Sequence, residues 1–405
     1  MISLDKVTKE LQTGKRPKGG AIDSGIPSLG AEHLDKNGGF NFSKLKYVDE
    51  GFYNNMRSGL IREDDIIIVK DGATTGKVSF VDDKFPLHRA CINEHVFILR
   101  LNESVYPKYI FYHLFSKIGQ RQILEDYRGS TVGGISKKFV NFIKIPFPPL
   151  ETQKHIAQIL DDAAALRDKT KQLIMEYDQL AQSIFLDMFG DPVVNPRGWQ
   201  VKKLKSITSK ILSGNTPKGG SNVYVEKGIT FFRSQNVWRN RLELDNVAYI
   251  DEITHKKMNK SSLCKGDILM TKTGRINTEN SSLGRAAMFN GENDSANING
   301  HVYLIRPKED VINEFVLFIL TTNEYRGYIR RVCVGGIDKR QINKEHLEEF
   351  PIIYPPIKLQ NQFAEKITLI EQQKTLAQQE LKEAEDLFNC LLQKAFKGEL
   401  VKELV

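Results

Sequence analysis

The chain has 405 residues, 40% of them hydrophobic, a length that favours two to three domains with their own cores. Its net charge of +8 is a weak indication of a polyanionic partner, and surplus solubilising lysines are the alternative explanation. The sequence contains no apolar run of about eighteen residues and no signal-peptide pattern, so we expect a cytoplasmic protein without membrane spans. Four scattered cysteines lack the spacing of a disulfide framework or a zinc site.

The chain is an internal repeat of two halves. D-I-I-I-V-K-D-G from Asp65 recurs from Asp267 as D-I-L-M-T-K-T-G, and N-E-H-V-F-I-L-R from Asn93 recurs from Asn299 as N-G-H-V-Y-L-I-R. Later motifs keep the same order, including V-G-G-I from Val132. A repeat of about two hundred residues is too long for a solenoid and predicts a pseudo-two-fold protein of two similar half-units.

Each half reads as a mixed α/β globule, first with short β-branched strands and then with a helix. In the first half the predicted strands are Ile66–Val69, 78–81 and Val96–Leu101, separated by turn residues. Apolar residues at helical spacing predict single helices over 107–124 and over 314–332, the second capped by Asn313. Residues 190–198 read as a turn-rich linker.

Two long helices, over 148–189 and about 358–397, each follow a proline pair. Alternating steps of three and four predict a coiled-coil seam. Its residues are Ile156, Ile159, Ala163, Leu166, Thr170, Leu173, Tyr177, Leu180 and Ile184 in the first helix, and Phe363, Ile367, Ile370, Ala377, Leu381, Ala384, Phe388, Leu391 and Ala395 in the second.

We expect the two long helices to pair antiparallel, and the alternative is that each folds back on its own half. Further apolar positions are expected to remain exposed for a partner, namely Leu160, Ile174, Phe185, Leu369, Leu376 and Leu392. The predicted fold is α+β, with two mixed α/β domains at 1–149 and 191–356 and long helical segments at 150–190 and 357–405.

Catalytic motifs are missing from the sequence. The Gly-rich stretch at 72–79 has three residues between its glycines and Val78 after Lys77, so it fails the P-loop spacing. His95 and His301 occupy matching repeat positions before apolar strands, which favours structural over catalytic roles. We therefore predict no covalent chemistry, no cofactor and no metal site.

Basic and polar loop residues remain as candidate DNA contacts, with ordinary surface as the alternative for each. Arginine, glutamine and asparagine can read base edges, whereas lysine, serine and threonine commonly hold phosphates. The run from Arg233 diverges sharply from its counterpart at 30–34, which suits two modules that read different sequences. The candidates are Arg16, Lys18, Thr74, Thr75, Lys77, Lys137, Lys138, Lys218, Arg233, Ser234, Gln235, Trp238, Arg239, Arg275, Arg285, Lys339 and Arg340.

Over nearly its whole length the sequence resembles the specificity subunit of type I restriction-modification systems. The resemblance is carried by I-P-F-P-P-L-E-T-Q-K-H-I-A from Ile145, Y-P-P-I-K-L-Q-N-Q-F-A from Tyr354, S-I-F-L-D-M-F-G-D-P from Ser183 and L-L-Q-K-A-F-K-G-E-L from Leu391. The chain departs from the family where Thr152 follows Glu151 and where Lys358 replaces an acidic residue.

The resemblance implies a non-catalytic reader of double-stranded DNA. Two target recognition domains would each read half of a split site, and the antiparallel helices would fix the unread gap and dock two methyltransferase subunits. A motor-nuclease subunit can join such complexes. The alternatives are a DNA-binding scaffold or inhibitor without methyltransferase partners and, third, an unrecognised nuclease.

Overall fold

The structure is a computed structural model that describes residues 1–129, 133–276, 278 and 281–402. Val132, which begins one repeated motif, and Asn277, Glu279 and Asn280 in the insertion of the second half lie outside the described residues. By its contacts the chain divides into two compact units, 1–172 with 378–405 and 173–377, here called unit 1 and unit 2. Each unit therefore includes one segment of each long helix.

Unit 1 begins with short strands, which two helices and a further short strand follow before the first long helix. Its elements, with the first long helix last, are β1 (Ile2–Ser3), β2 (Thr8–Thr13), β3 (Ile26–Leu29), β4 (Lys46–Val48), α1 (Glu50–Asn54), β5 (Ile66–Val69), β6 (Val78–Phe80), β7 (Cys91–Ile92), β8 (Val96–Leu101), α2 (Pro107–Phe115), α3 (Lys117–Leu124), β9 (Lys144–Ile145) and α4 (Leu150–Phe189).

Unit 2 repeats this order and adds a small sheet. Its elements, followed by those that end the chain, are β10 (Val201–Lys203), β11 (Thr208–Ser213), β12 (Ile229–Phe232), β13 (Ala248–Ile250), α5 (Glu252–Lys257), β14 (Ile268–Thr271), β15 (Thr273–Arg275), β16 (Ala286–Met288), β17 (Ala296–Ile298), β18 (Val302–Pro307), α6 (Asn313–Thr321), α7 (Asn323–Val332), β19 (Val334–Gly335), β20 (Lys339–Gln341), α8 (Lys344–Glu348), β21 (Pro351–Ile353), α9 (Ile357–Lys397) and α10 (Glu399–Lys402).

The two units share one sheet topology, which confirms the predicted α+β fold with two similar domains. The main sheet is antiparallel, in the order β2-β8-β5-β6 in unit 1 and β11-β18-β14-β16 in unit 2. A three-stranded sheet, β4-β3-β7 or β13-β12-β17, accompanies it. Unit 2 alone has the sheet β15-β20-β19 among the described residues, where unit 1 has only single bridges at Gly134.

Alternation along the central strands places apolar side chains on both faces of the main sheet. In unit 1, Ile66 and Ile68 face the core that includes the helices, whereas Ile67 and Val69 face a second cluster. Unit 2 repeats this division. The buried strands explain why these segments read as nearly continuous hydrophobic runs.

The repeated acidic and basic residues form one buried ion pair in each unit. Arg100 Nε and Nη2 donate to the two carboxylate oxygens of Asp65 at 2.7 and 3.0 Å, and Arg306 does the same to Asp267 at 2.7 Å for both bonds. Both aspartates are 1% exposed. Bidentate geometry satisfies each buried carboxylate. This accounts for the aspartate that begins one repeated motif and the arginine that ends the other.

The single helix predicted before each proline pair is wrong, because the structure has two consecutive helices there. The backbone is extended at Ser116 (ψ 158°) and Thr322 (ψ 154°), which interrupts the α-helix between α2 and α3 and between α6 and α7. Ser116 Oγ accepts the Gly119 N–H at 3.1 Å, and Thr322 Oγ1 accepts the Tyr325 N–H at 3.2 Å, so each residue caps the second helix. Apolar periodicity continues across the break and conceals it.

The expected cap at Asn313 is also corrected by the structure. Ile312 is the cap position of α6, and Asn313 is its first helical residue. The Asn313 side chain instead donates to the Gly266 carbonyl at 3.0 Å.

Both long helices are tied to their proline pairs by a buried glutamine. Gln153 Nε2 donates to the Pro148 carbonyl at 2.9 Å, and Gln360 Nε2 donates to the Pro355 carbonyl at 2.8 Å. The two side chains are 1% and 0% exposed. The shared bond explains why glutamine stands five residues after the first proline in both halves.

Within unit 2 the segments of α4 and α9 run antiparallel. Lys374 Nζ contacts Asp178 Oδ1 at 2.5 Å, and Phe185 and Phe189 pack on Phe363 with ring centroids 5.4 and 5.5 Å apart. The contacts therefore pair later residues of α4 with earlier residues of α9, as antiparallel helices require. Within unit 1, Ile156, Leu160 and Ala163 share a core with Phe388, Leu392 and Ala395.

The predicted seam agrees with burial along α9 and differs along α4. Leu166, Leu173 and Leu180 are 50%, 37% and 47% exposed, and the buried stripe takes the following residue each time, namely Arg167, the half-buried Ile174 and Ala181. Arg167 stacks on Phe388 at 4.9 Å, so a buried arginine holds a position that hydrophobic periodicity cannot recognise.

The apolar positions predicted to remain free for a partner also need correction. Leu160, Phe185 and Leu392 are 0%, 0% and 5% exposed, because they pack inside the units themselves. Leu369 and Leu376 are 63% and 53% exposed, as expected. No described helix is long and apolar enough to cross a membrane.

Candidate nucleic-acid interface

Close backbone approach fixes the first basic loop of each unit. A Cβ on Gly14 would lie 1.8 Å from the Ile92 carbonyl oxygen, and one on Gly214 would lie 2.2 Å from the Ile298 carbonyl oxygen. Only glycine fits either position. The glycines lead into loops on which Arg16, Lys18 and Lys218 are exposed, as the candidate assignment requires.

A second loop of unit 1 lies against the segment that carries the lysine pair. The Gly72 N–H donates to the Gly133 carbonyl at 3.1 Å, and the Ile135 N–H donates to the Lys70 carbonyl at 2.8 Å. These bonds bring the loop with Thr74 and Thr75 beside the turn that leads to Lys137 and Lys138. Both lysines and Thr74 are exposed, whereas Thr75 Oγ1 donates to the Gly72 carbonyl at 2.7 Å.

An ionic network that the sequence did not reveal joins these loops in unit 1. His95 Nδ1 lies 2.6 Å from Asp71 and its Nε2 lies 3.5 Å from Glu94. Glu94 also faces Arg16 at 3.9 Å, and Asp71 faces Lys70 at 3.3 Å. The His95 side chain is 49% exposed, so it belongs to this network and not to the core.

The corresponding positions in unit 2 carry no such network. Thr273 and Gly300 stand where unit 1 has Asp71 and Glu94, and Thr216 stands where it has Arg16. The differences between V-K-D-G and T-K-T-G and between N-E-H and N-G-H were the available sequence clue. Aspartate and glutamate carboxylates are groups that can accept a hydrogen bond from the amino group of cytosine.

Lys77 is turned into the protein and Arg285 is nearly buried. Lys77 Nζ donates to the Leu34 carbonyl at 3.0 Å. Arg285 is 9% exposed and stacks on the Trp238 ring at 3.9 Å. Both side chains contact a neighbouring hairpin of the protein. Their predicted role was contact with the DNA backbone.

The small sheet of unit 2 carries three further candidates. Arg275 at the end of β15 pairs with Asp338 at 3.3 Å. Lys339 begins β20 and is exposed, and Arg340 beside it is half-buried. The register places Arg275 opposite Lys339, so the structure brings these two basic residues together.

The run from Arg233 is a turn held by its own side chains. Arg233 Nη2 donates to the Asn246 carbonyl at 2.8 Å and its guanidinium lies 5.9 Å from the Tyr224 ring. Asn236 is buried and its Oδ1 accepts the Arg233 N–H at 3.0 Å, so this amide is structural. Ser234 is half-buried, and Gln235 projects into solvent.

Beyond this turn lie Trp238 and Arg239. Trp238 lies between two guanidinium groups, with Arg241 at 5.4 Å and Arg285 at 3.9 Å from its ring centroid. Arg239 Nη1 donates to Asn323 Oδ1 at 2.9 Å. Burial lowers the pKa of Arg239 and of Arg285, although both remain protonated groups.

Arg239 opens into a cleft inside unit 2. The cleft has a volume of about 520 Å³ and is lined by Asp178, Gln179, Gln182, Ser183, Leu186, Arg239, Asn240 and Asn323. Its α4 side is polar apart from Leu186. Arg239 therefore faces the long helix as well as solvent, and a base contact by this residue stays a prediction.

No group of three or more potential metal ligands occurs in the described residues. Cys91 and Cys333 are buried and Cys390 is exposed, and all four cysteines are free thiols.

The comparisons with known proteins bear directly on this repeated architecture. The family model described as "Type I restriction modification DNA specificity domain" matches residues 23–176 and again 196–386. The chain belongs to the type I restriction-modification DNA specificity family. The two matches fall on the two halves of the repeat, and the family predicted from the motifs is confirmed.

Curated relatives of this family align over most of the chain. The Methanocaldococcus jannaschii type I restriction enzyme MjaVIII specificity subunit is 24% identical over 82% of this chain and 79% of its own length. The Escherichia coli EcoKI specificity subunit is 21% identical over 94% of this chain and 84% of its own length.

Solved structures share the fold. The type I restriction-modification S subunit from M. genitalium has a TM-score of 0.54 and 18% identity, over 98% of this chain and 95% of that one. A chain from a study of type I R-M assembly and conformational transition has the same TM-score and identity, over 98% and 97%.

Proposed function

We propose that this chain is the sequence-specific DNA-binding specificity subunit of a type I restriction-modification complex and has no catalytic activity of its own. Each globular half would read one half of a bipartite target in double-stranded DNA. The long helices would set the unread gap and dock two methyltransferase subunits, to which a motor-nuclease subunit can add. We expect the complex to work in the cytoplasm without a cofactor bound to this chain.

One observation carries the proposal: a repeated scaffold presents loops of different chemistry. The Asp65–Arg100 and Asp267–Arg306 pairs keep the two sheets alike, whereas the loops carry an acid-base network in unit 1 and arginines with Trp238 in unit 2. Two similar domains whose loops carry different hydrogen-bond donors and acceptors are suited to reading two different DNA half-sites.

Exposed leucines on the long helices support the docking of partner subunits. In unit 2, Leu173 and Leu180 are seven residues apart on α4, and Leu369 and Leu376 are seven apart on α9. The four are between 37% and 63% exposed. A seven-residue apolar repeat at the surface is the pattern that a further helix packs against.

Co-expression with a type I methyltransferase subunit tests the docking. We expect the wild-type chain to capture it, and the double variant Leu369→Glu/Leu376→Glu to lose it. The matched control, Gln362→Glu/Gln373→Glu, makes the same charge change at exposed positions of α9 and should retain capture. A wild-type chain that binds duplex DNA but captures no methyltransferase subunit supports the alternative of a scaffold or inhibitor.

Methylome sequencing of cells that express the full complex tests the bipartite reading. We expect one methylated motif with two defined parts and a fixed gap. A continuous motif without a gap would contradict the assignment of one half-site to each unit. Metal-dependent DNA cleavage by the purified chain alone would contradict the non-catalytic role.

A further inference from the structure

Four arginines of unit 2 meet at one surface, here called the arginine cluster: Arg239, Arg285, Arg326 and Arg330. Three elements supply them. Arg239 follows the turn after β12, Arg285 immediately precedes β16, and Arg326 and Arg330 stand one helical turn apart on α7. None of the sequence motifs pointed to α7.

Hydrogen bonds fix the cluster in position. Arg326 Nη1 donates to the Gly284 carbonyl at 3.2 Å, next to Arg285 in the chain. Arg239 Nη1 donates to Asn323 Oδ1, at the start of α7. Trp238 stacks under Arg285. The guanidinium groups of Arg239, Arg285 and Arg326 are therefore each fixed by a described contact, and Arg330 stands one helical turn after Arg326.

The positive charges of the cluster lie close enough to act on one another. Burial, together with the charges of Arg239, Arg330 and Arg285, lowers the pKa of Arg326 to about 10. Asp178 and Glu324 are the carboxylates that act on Arg239, and they oppose the effect of burial on its pKa. Within the described parts of the chain, neither Arg239, Arg326 nor Arg330 has a carboxylate oxygen within 4.0 Å.

Unit 1 shows that the scaffold does not need these charges. Gln120, the fourth residue of α3, donates to the Gly76 carbonyl at 2.9 Å as Arg326, the fourth residue of α7, does to Gly284. Leu124 corresponds in the same way to Arg330. Where unit 2 has Trp238 and Arg239, unit 1 has Asp35, whose carboxylate accepts two N–H groups of its own loop, and Lys36.

We infer that the arginine cluster binds phosphate groups of the DNA backbone at the half-site of unit 2, with Arg326 and Arg330 as contacts from α7 and the nearly buried Arg285 in a supporting role. The inference rests on the proposed function and deepens it. Guanidinium groups present paired donors to a phosphate, and a phosphodiester would offset the mutual repulsion that the free protein retains. Unit 1, with a glutamine and a leucine at the α7 positions, would lack this grip.

Arg326→Gln is the decisive variant, because unit 1 shows that glutamine makes the same bond to a glycine carbonyl. The complex with its methyltransferase subunits is titrated with fluorescent duplexes, one with the target motif and one without, over a series of KCl concentrations. We expect roughly five- to tenfold weaker binding of both duplexes at 0.1 M salt, and a salt slope smaller by about 1.

Arg331→Gln is the matched control, since it removes the same charge from the same helix outside the cluster. It should leave the salt slope close to that of the wild type. Arg330→Leu, which copies unit 1, should act as Arg326→Gln does. Hydrogen exchange of α7 peptides checks that each variant keeps its fold.

Four results would overturn the inference. Unchanged affinity and slope in Arg326→Gln would show that no phosphate is bound there, and loss on the target duplex alone would show a base contact. Normal DNA binding with loss of a methyltransferase subunit would identify an acidic protein partner instead. A wild-type complex that binds no duplex would refute the proposed function, and the inference with it.

Discussion

Units 1 and 2 share a buried ion pair and differ in their exposed loop residues. Asp65 with Arg100 and Asp267 with Arg306 make equivalent bonds at the central strands of the main sheet. At the loop edge, by contrast, unit 1 neutralises its basic side chains with Asp71 and Glu94, while unit 2 concentrates arginine. Side chains with obligatory buried partners were retained in both copies, and those that face solvent were free to specialise.

The largest expected effect concerns the shared ion pair. Asp267→Ala should destabilise unit 2 by about 3–5 kcal/mol, because it leaves a largely desolvated arginine unpaired. Asp65→Ala should cost less, since Arg100 keeps Glu10 at 2.8 Å. Hydrogen exchange of peptides from each unit measures both. Equal losses in the two variants would show that Glu10 does not compensate.

The next largest effect is expected on acidification, which should destabilise unit 1 more than unit 2. Burial lowers the pKa of His113 in α2 to about 4, whereas Ile319 holds the corresponding seventh position of α6. The neutral form is favoured in the folded state, so stability is complete above about pH 6.5 and falls as pH drops toward 4. From pH 7 to 5 the loss should be about 2 kcal/mol.

Urea unfolding at pH 7 and pH 5, followed by exchange in unit 1 peptides, checks this loss. His113→Ile copies unit 2 and should remove most of the difference between the two pH values. A variant that loses as much stability on acidification as the wild type would assign the effect to other groups.

A smaller, sequence-dependent effect is expected from Gln235. This exposed side chain corresponds to Glu32, which pairs with Lys46 in unit 1. Gln235→Ala should weaken binding by about 1–3 kcal/mol on duplexes with an intact unit 2 half-site and leave random duplex unaffected. Glu32→Ala should act on the other half-site alone. Equal loss on random DNA would show a phosphate contact.

The smallest change in affinity should come from the spacer. Four residues inserted into α4 add about 6 Å of helix and should lengthen the tolerated gap between half-sites. The same insertion in the 190–198 linker is the control. Methylome sequencing reads the gap directly, and an unchanged gap in the α4 variant would refute the role of the helices as a ruler.

Three strands of unit 1 and the bounds of the long helices followed from local patterns. β5 and β8 lie where β-branched runs predicted them, and α4 and α9 begin just after their proline pairs. The breaks at Ser116 and Thr322 were missed, because a cap hydroxyl within an apolar run differs little from an ordinary helical serine or threonine.

The candidate site was predictable only as a set of loops. Sequence proximity indicated Arg233, Trp238 and Arg239, yet Arg326 comes from a helix nearly ninety residues further on. Asp71 and Glu94 were likewise overlooked, since acidic residues do not suggest a DNA contact until they are seen beside Arg16 and His95.

The sequence by itself determined the repeat and the family, because both depend on residue types that recur in register. Only the tertiary structure decided which face of α4 is buried and which charges gather in unit 2. The buried stripe of α4 lies one residue after the predicted seam at three steps, and the arginine cluster joins three separate elements. Both depend on packing between distant segments, which local periodicity does not record.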